Sequence, residues 1–455
     1  MLTAAWIPKS QRLDHAERRR FRLSPARFKW LAAARRSGKS TDGLDLILVG
    51  HGPKGADGNP RFRGAFNPPE FVIDPTFVIA APTREMVKRL WWDRLKKRIP
   101  AALLDRVNET ELTVTLTNGS RIILIGMDRP TRAEGIAIDG LVCDEYAYFK
   151  DGAYERSLRP ALSTRGRPPG WAINMGKPSG RNHFYNGWLA AKTGKPEHDA
   201  FHWTSAEIVA PEEIEAARRD LDPRSFQQEY EAAFLTQTGR VFYTFDANKH
   251  YRTLAYNPAL PLVFSLDFNV KPGSAVAIQE QELPPWNDKD GQRIETTCVV
   301  GEVHIPDSSQ TDLVCGRLGA MFAGHTQPVF IYGDPSGKHR DTRGPGNDWD
   351  IVRQHLAKHF ADVRMRVPRV APPVIDSANS VNARMENASG LVRFAIDPKK
   401  APQTVLDLES VCWQEGKPDR QIDKDDEART HWGDALRYYT HEKHPIGGVV
   451  AKVHR

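Results

Sequence analysis

An apolar run from Phe28 to Ala34 breaks abruptly into Arg35, Arg36, Ser37, Gly38, Lys39, Ser40 and Thr41. The pattern reads as a buried strand turning into a phosphate-holding loop. Gly38 lets backbone amides approach a pyrophosphate. The following helix, marked by Leu44, Ile47 and Leu48 at helical spacing, would begin with the positive end of its dipole facing that anion. Lys39 would supply a point charge to the β and γ phosphates, and Ser40 a hydroxyl to a bound magnesium ion. Ala33 stands where G-x-x-x-x-G-K-[ST] has its first glycine, so a basic turn without a nucleotide is the competing reading of this stretch alone.

Further along, Phe77–Ala81 reads as a strand ending in Pro82 and Thr83. Residues 85–98 then read as a helix with Met86, Leu90, Trp91 and Leu95 on one side, a second β-to-α step of the kind a parallel sheet uses. Asn118 and Gly119 sit between two β-rich runs and predict a hairpin. The run GIAIDGLVCDEYAYF predicts a strand ending in Asp144 and Glu145. At the end of a strand beside the phosphate loop, Asp144 would hold the magnesium shell and Glu145 would orient or deprotonate the attacking water. The alternative is an apolar strand leaving the core through two acids.

With 455 residues, the chain exceeds what one hydrophobic core organises, which predicts two or three domains. Its four cysteines form no C-x-x-C pair, so neither a zinc knuckle nor a disulfide framework is expected, and a reducing cytoplasm fits. There is no apolar signal-peptide core at the start and no run of membrane-spanning length, so a soluble protein without a membrane partner is expected. A net charge of +7, from 64 basic and 57 acidic residues, suits a polyanionic partner. The early arginines Arg12, Arg18, Arg19, Arg20, Arg22 and Arg27 read as a solvated helical face rather than a DNA contact.

The strand WAINM leads into the loop GKPSGRNHFYNGW, and helices are expected over APEEIEAARRDL and RSFQQEYEAAFL. The periodic pattern then lapses, which places a domain boundary at about residues 245–260. In the second half, Asp267 interrupts an apolar strand, where an unpaired carboxylate costs several kcal/mol and calls for a partner such as a metal ion. Glu302 lies on a second strand and Asp334 ends a third, while Asp434 lies on a helix with Trp432, Ala435, Leu436 and Tyr439 inward and His431 on a neighbouring face. Carboxylates on separate elements suit a two-metal phosphodiesterase, and hard oxygen ligands favour magnesium or manganese. For each acid taken singly, ordinary surface or a salt bridge is the competing reading.

The stretches AARRSGKST, APTREMVKRLW, GIAIDGLVCDEYAYF, GKPSGRNHFYNGW, FQQEYEAAFLTQTGRVF, LDFNV, IYGDPSG and HWGDALRYY, in this order, resemble the large subunit of tailed-bacteriophage DNA-packaging terminases over nearly the full length. The resemblance implies an α/β fold: an N-terminal P-loop (ASCE-type) ATPase domain over 1–245 with a small helical lid around 205–235, a linker at 246–258, and a C-terminal ribonuclease H-like nuclease domain over 259–455. By position, Arg35 matches the family's P-loop arginine, Lys39 and Ser40 its Walker A residues, Asp144 and Glu145 its Walker B pair, and Asp267, Asp334 and Asp434 its nuclease acids. The sequence departs from the family at Ala33, and at Gly176 and Lys177, where small hydroxyl residues are usual before the proline.

The resemblance further implies ATP with Mg2+ at the first site and Mg2+ or Mn2+, as two ions, at the second. The implied partners are double-stranded DNA, the portal protein of the procapsid and the small terminase subunit, in a homo-oligomeric ring. The implied setting is the host bacterial cytoplasm, transiently on the procapsid and not in the mature virion. Arg129 or Arg132 would reach a neighbouring ATP site, with hairpin-end solubility as the alternative, and Lys271 and Arg340 would hold DNA phosphates. A helicase-like translocase without nuclease activity and a non-catalytic capsid-docking scaffold are the rival functions.

Overall fold

β1 (Phe28–Ala33) sends Phe28, Trp30 and Ala32 into one apolar layer and Leu31 and Ala33 into another. That alternation with both faces buried is what a parallel sheet covered on both sides demands. The computed structural model describes residues 15–235, 239–268, 272–286, 292–306, 310–338, 347–414, 421–424 and 429–446. The chain divides into two compact units, 1–214 with 227–236, and 215–226 with 237–455.

The first unit contains β1, β2 (Gly50–Lys54), β3 (Pro60–Arg63), β4 (Thr76–Ala81), β5 (Leu104–Asn108), β6 (Thr113–Leu116), β7 (Arg121–Gly126), β8 (Gly140–Cys143), β9 (Trp171–Gly176) and β10 (His198–Trp203). Its main sheet has the order β10-β1-β9-β8-β4-β7-β6-β5, and β2 pairs with β3 separately. From β10 to β7 the neighbours are parallel, while β7, β6 and β5 are antiparallel. The expected hairpin forms at β6 and β7, with Gly119 at φ +83° as its turn requires. The helix expected over 85–98 runs as Arg84–Val87, a widened π turn Lys88–Trp92, and Asp93–Arg98, and it buries Trp91, Trp92 and Leu95.

Two expectations are corrected in this unit. Two of the early arginines leave the solvated face: Arg18 is buried and its Nε donates to Asp42 Oδ2 at 2.8 Å, and Arg27 donates to the Gly170 and Leu162 carbonyls, while Arg19 and Arg20 are exposed as expected and Arg12 lies outside the described residues. Charge spacing on a short helix cannot reveal an acid 24 residues away in the chain. The helix expected over RSFQQEYEAAFL ends at Tyr230, because Ala232 turns into the left-handed region at φ +54° and Phe234 packs on Phe184, Tyr185 and Trp188.

In the second unit, β11 (Leu262–Asp267), β12 (Gly273–Leu283), β13 (Ile294–Ile305), β14 (Val329–Gly333), β15 (Val363–Met365) and β16 (Phe394–Ile396) form one sheet in the order β15-β14-β11-β12-β13-β16. β11, β12 and β13 are antiparallel, and β14 runs parallel to β11. Helix Thr311–Met321 packs Val314, Cys315 and Leu318 against Leu262, Phe264 and Leu266. On the opposite face, Val263 and Val276 meet Trp432, Ala435, Leu436 and Tyr439 of helix His431–Lys443. Residues 246–258, read as a linker, include helix Ala247–His250 and fall within this unit. The fold class is as expected in its outline: one α/β unit with a mainly parallel sheet, followed by a second α/β unit with a mixed sheet.

Candidate functional site

The phosphate loop joins β1 to helix Lys39–Val49 and is held from several sides. Ala34 N–H donates to the Trp203 carbonyl at 3.2 Å, Ser37 Oγ to Ala34 O at 2.6 Å, Trp203 Nε1 to Ser37 O at 3.1 Å and Ser205 Oγ to Arg35 O at 2.6 Å. Gly38 caps the helix at φ +83°, and a Cβ there would lie 3.0 Å from the Arg18 guanidinium, so both conformation and space call for glycine. One turn on, a Cβ at Gly43 would lie 2.7 Å from Met175 and 3.0 Å from Trp91, which shows how closely this helix lies on the sheet. The helix opening is an anion-binding geometry, with Lys39, Ser40 and Thr41 half-buried along its first turn.

The strand carrying Asp144 is not the neighbour of β1. β9 lies between β1 and β8, so the acids stand two strands away, about 10 Å by ordinary sheet spacing. Periodicity reports which residues form a strand and not which strands pair, so the interposed β9 had no counterpart in the expectation of a strand end beside the phosphate loop. The lysine side chain spans the gap: Lys39 Nζ lies 3.3 Å from Glu145 Oε1. Asp144 is buried, with Oδ2 accepting the Trp91 indole N–H at 2.8 Å and Oδ1 the Glu145 N–H at 3.0 Å. Burial first, then the charge of Glu145, pushes the Asp144 carboxyl up to about 6, against the pull of Lys39.

Glu145 itself is in the left-handed region at φ +51°, ψ +43°, a conformation that costs a non-glycine residue of order 1 kcal/mol and recurs at functional sites. Its Oε2 is buried without a hydrogen-bond partner among the described residues. Of the remaining loop residues, Arg36 is exposed at φ +55°, and Arg35 is exposed with its Nε 3.8 Å from Glu229 Oε2. Arg129 and Arg132 are exposed.

In the second unit, β11 and β14 pair in parallel through Leu266 and Gly333, so Asp267 and Asp334 leave adjacent strand ends side by side. Asp334 N–H donates to Leu266 O at 3.2 Å, and Asp334 Oδ1 accepts the Ser336 N–H at 2.8 Å. Helix His431–Lys443 is fixed over the sheet by Ser265 Oγ donating to Ala435 O at 2.6 Å and Trp432 Nε1 to Val303 O at 3.0 Å. It brings His431 Nδ1 within 3.3 Å of Asp267 Oδ2. It also brings Asp434, whose Oδ1 accepts from Arg437 Nε at 3.0 Å while Lys424 Nζ lies 3.7 Å from Oδ2. Burial pushes the Tyr438 hydroxyl up, and Asp267, Asp334 and Asp434 all add to that shift, so the three carboxylates bear on one ring.

Among the described residues, Glu280, Glu295 and His444 bring their ligand atoms within 4.8 Å of one another, whereas the three aspartates stand further apart. Two ions about 3.5–4 Å apart need a wider set of ligands than one. The Glu280 group already holds a cation, since Arg384 Nη2 lies 2.9 Å from Glu280 and 3.4 Å from Glu295. Glu302 is engaged elsewhere. Its oxygens accept the Gln403 and Thr404 N–H groups, each at 2.8 Å, and cap helix Pro402–Ser410. It lies on the strand row of Val276 and Ser265, two strands from β11. Lys271 and Arg340 lie outside the described residues.

Several contacts had little signal in the sequence. Trp91 was countable only as an apolar position, and the cations around Asp434 lie on the same HWGDALRYY run as the acid or on a preceding loop. Among the described residues, no helix is long and apolar enough to cross a membrane.

No protein-family model matches the chain. It is 28% identical to the large terminase subunit of Escherichia phage T5 over 184 residues, 39% of this chain and 41% of that protein. It is 31% identical to the large terminase subunit of Thermus phage G20c over 132 residues, 25% of this chain and 26% of that protein. The chain thus matches less than half the length of these curated relatives. Its fold is similar to that of the large terminase from a thermophilic bacteriophage, with a TM-score of 0.52 and 14% identity over 92% of this chain and 94% of that one. The same thermophilic phage protein in complex with ATP-gamma-S gives a TM-score of 0.52 at 15% identity, with the same coverage.

Proposed function

As the chain is a relative of the large subunits of phage terminases, we propose that it is a DNA-packaging motor subunit with an ATPase in the first unit and a metal-dependent endonuclease in the second, residues 246–258 being the start of the second unit rather than a linker. The ATPase reading rests on one observation above the others: Lys39 reaches Glu145 at 3.3 Å across β9, with Glu145 held at φ +51°. Lys39 binds the β and γ phosphates, the first-turn amides of helix Lys39–Val49 cradle them, and Arg35 approaches from the exposed side. The buried Oε2 of Glu145, which has no hydrogen-bond partner among the described residues, is the atom that takes the proton of the attacking water.

The hydroxyl of Ser40 and the carboxylate of Asp144 form an oxygen donor set that suits a hard divalent cation, and Asp144 keeps free lone pairs beyond its two bonds. Magnesium, when bound there, supplies charge neutralisation across the β and γ phosphates. In the second unit, Asp267, Asp334 and Asp434 offer the same hard oxygens for two magnesium or manganese ions, which supply activation of water and stabilisation of the leaving oxygen. His431 orients Asp267, and Arg437 fixes Asp434.

Double-stranded DNA is the polyanion that the net charge of +7 suits, recognised largely through its phosphates. The portal protein and the small terminase subunit are the proposed partners, in a homo-oligomeric ring in the host cytoplasm that docks transiently on the procapsid. The test is ATP turnover by the full chain with double-stranded DNA, together with manganese-dependent nicking of supercoiled plasmid. Turnover lost in Lys39→Ala and nicking lost in Asp267→Ala are expected. Turnover without nicking favours a helicase-like translocase, and neither activity favours a docking scaffold.

A further inference from the structure

Glu229 gathers two cations, Arg35 from the phosphate loop and Lys177 from the tip of β9. Lys177 Nζ donates to Glu229 Oε1, and Arg35 Nε stands 3.8 Å from Oε2, which has no hydrogen-bond partner among the described residues. The Arg35 N–H also donates to the Glu229 carbonyl at 2.7 Å, so the phosphate loop and this carboxylate are joined through the backbone as well. Lys177 follows Gly176, where a Cβ would lie 3.2 Å from Glu145 Cα and 3.2 Å from the Tyr146 nitrogen. The tip of β9 is thus pressed against the backbone of the acid that faces Lys39. The Lys177 side chain is only 24% exposed. Burial opposes its charge, but Glu229 first and then Tyr148 and Glu145 overcome that, so its pKa is raised and it is an ammonium. Two cations thus share one carboxylate that is tied to the phosphate loop through the Arg35 backbone.

Resting on the ATP-site reading, we infer that Lys177 is a second phosphate-contacting lysine, which exchanges Glu229 for a γ-phosphate oxygen when ATP occupies the loop. The exchange leaves Glu229 with Arg35 and puts Lys39 and Lys177 on the γ-phosphate together. In the step they assist, the water oxygen bonds to the γ-phosphorus while the bond to the β–γ bridging oxygen breaks. The bridging electron pair stays on ADP, and the water proton passes to Glu145. Lys177 donates hydrogen bonds throughout and gains or loses no proton. ADP lacks the γ-phosphate, so Lys177 returns to Glu229 after phosphate release.

The test uses the full chain with double-stranded DNA and compares Lys177→Ala, Lys177→Arg, Glu229→Gln and Lys39→Ala with the parent protein, reading kcat and the affinities for fluorescent ATP and ADP. Lys177→Ala is expected to lose about 10–100-fold in kcat and about tenfold in ATP affinity with ADP affinity within about twofold, and Lys177→Arg to recover part of both. Glu229→Gln, which frees the lysine, is expected to raise the preference for ATP over ADP by about threefold or more. Unchanged kcat and ATP-to-ADP ratio in Lys177→Ala, with Lys39→Ala inactive, would overturn the inference and leave the ATP site standing. If Lys177→Ala does not fold, an unchanged ratio in Glu229→Gln overturns it instead. Nucleotide affinity that is equally absent from the parent and Lys39→Ala overturns the ATP site itself.

Discussion

Trp91 donates its indole N–H to Asp144 Oδ2 at 2.8 Å from within the widened turn Lys88–Trp92. Widened helical turns of this kind recur at functional sites. Trp91→Phe keeps most of the packing and deletes the donor, leaving a buried carboxylate with one bond fewer. The expected result is about a tenfold fall in ATP turnover and a loss of about 1–3 kcal/mol in urea unfolding. Unchanged turnover would remove Trp91 from the set of residues that position Asp144.

Glu145→Gln keeps the shape of the side chain and removes the base. ATP turnover is expected to fall by about 10²–10⁴-fold while ATP still binds, because Lys39 loses a competing carboxylate. Equilibrium binding of fluorescent ATP beside a turnover assay checks both halves. A variant that hydrolyses ATP at the parent rate would show that another group takes the proton.

Asp267→Asn and Glu302→Gln separate the acids of the second unit by role. The first is expected to abolish plasmid nicking in manganese, since Asp267 stands at the strand end beside Asp334 and within reach of His431. The second removes a charged cap from helix Pro402–Ser410, so a stability loss of about 1 kcal/mol with nicking intact is expected. Nicking lost in Glu302→Gln at unchanged stability would make that residue a ligand.

Asp407 is fully buried and accepts the Trp432 and Gly433 N–H groups at 2.9 and 3.0 Å. Burial is the main cause that pushes its carboxyl from 3.8 to about 6. A folded pKa above the unfolded one gives stability that is complete below about pH 3.8 and lost as pH rises through about 6. Asp407→Asn does not titrate, so its stability relative to the parent is expected to improve by about 1 kcal/mol between pH 5 and pH 7.5. Urea midpoints at the two pH values measure it, and a constant difference would show that the group is ionised throughout.

Much of the framework was readable in advance because strands that bury both faces leave continuous apolar runs, and acids at their ends stand out. Asp144, Asp267 and Asp334 were found that way, and β11 pairing with β14 brought the last two together. What could not be read were partners distant in the chain. Lys177 looked like a departure from the family pattern, and its partner Glu229 lies 52 residues further on. Lys29, inside the same run that announced the phosphate loop, is completely buried and donates to the Phe21 carbonyl. The place of β9 between β1 and β8 was equally hidden, since strand order depends on how crossovers are routed rather than on local spacing.

That interposed strand works as a spacer gauge. With about 10 Å between alternate strands, only a long, unbranched cation can bridge from one flank to the other, and lysine has little slack to do so. The place of the acid is therefore sensitive to the tip of β9, where Gly176 presents no side chain and the acid's own backbone lies 3.2 Å from the missing carbon. A methyl group at that point would push the Glu145 backbone back by a few tenths of an ångström, and so detune an ion pair to which it contributes no atom.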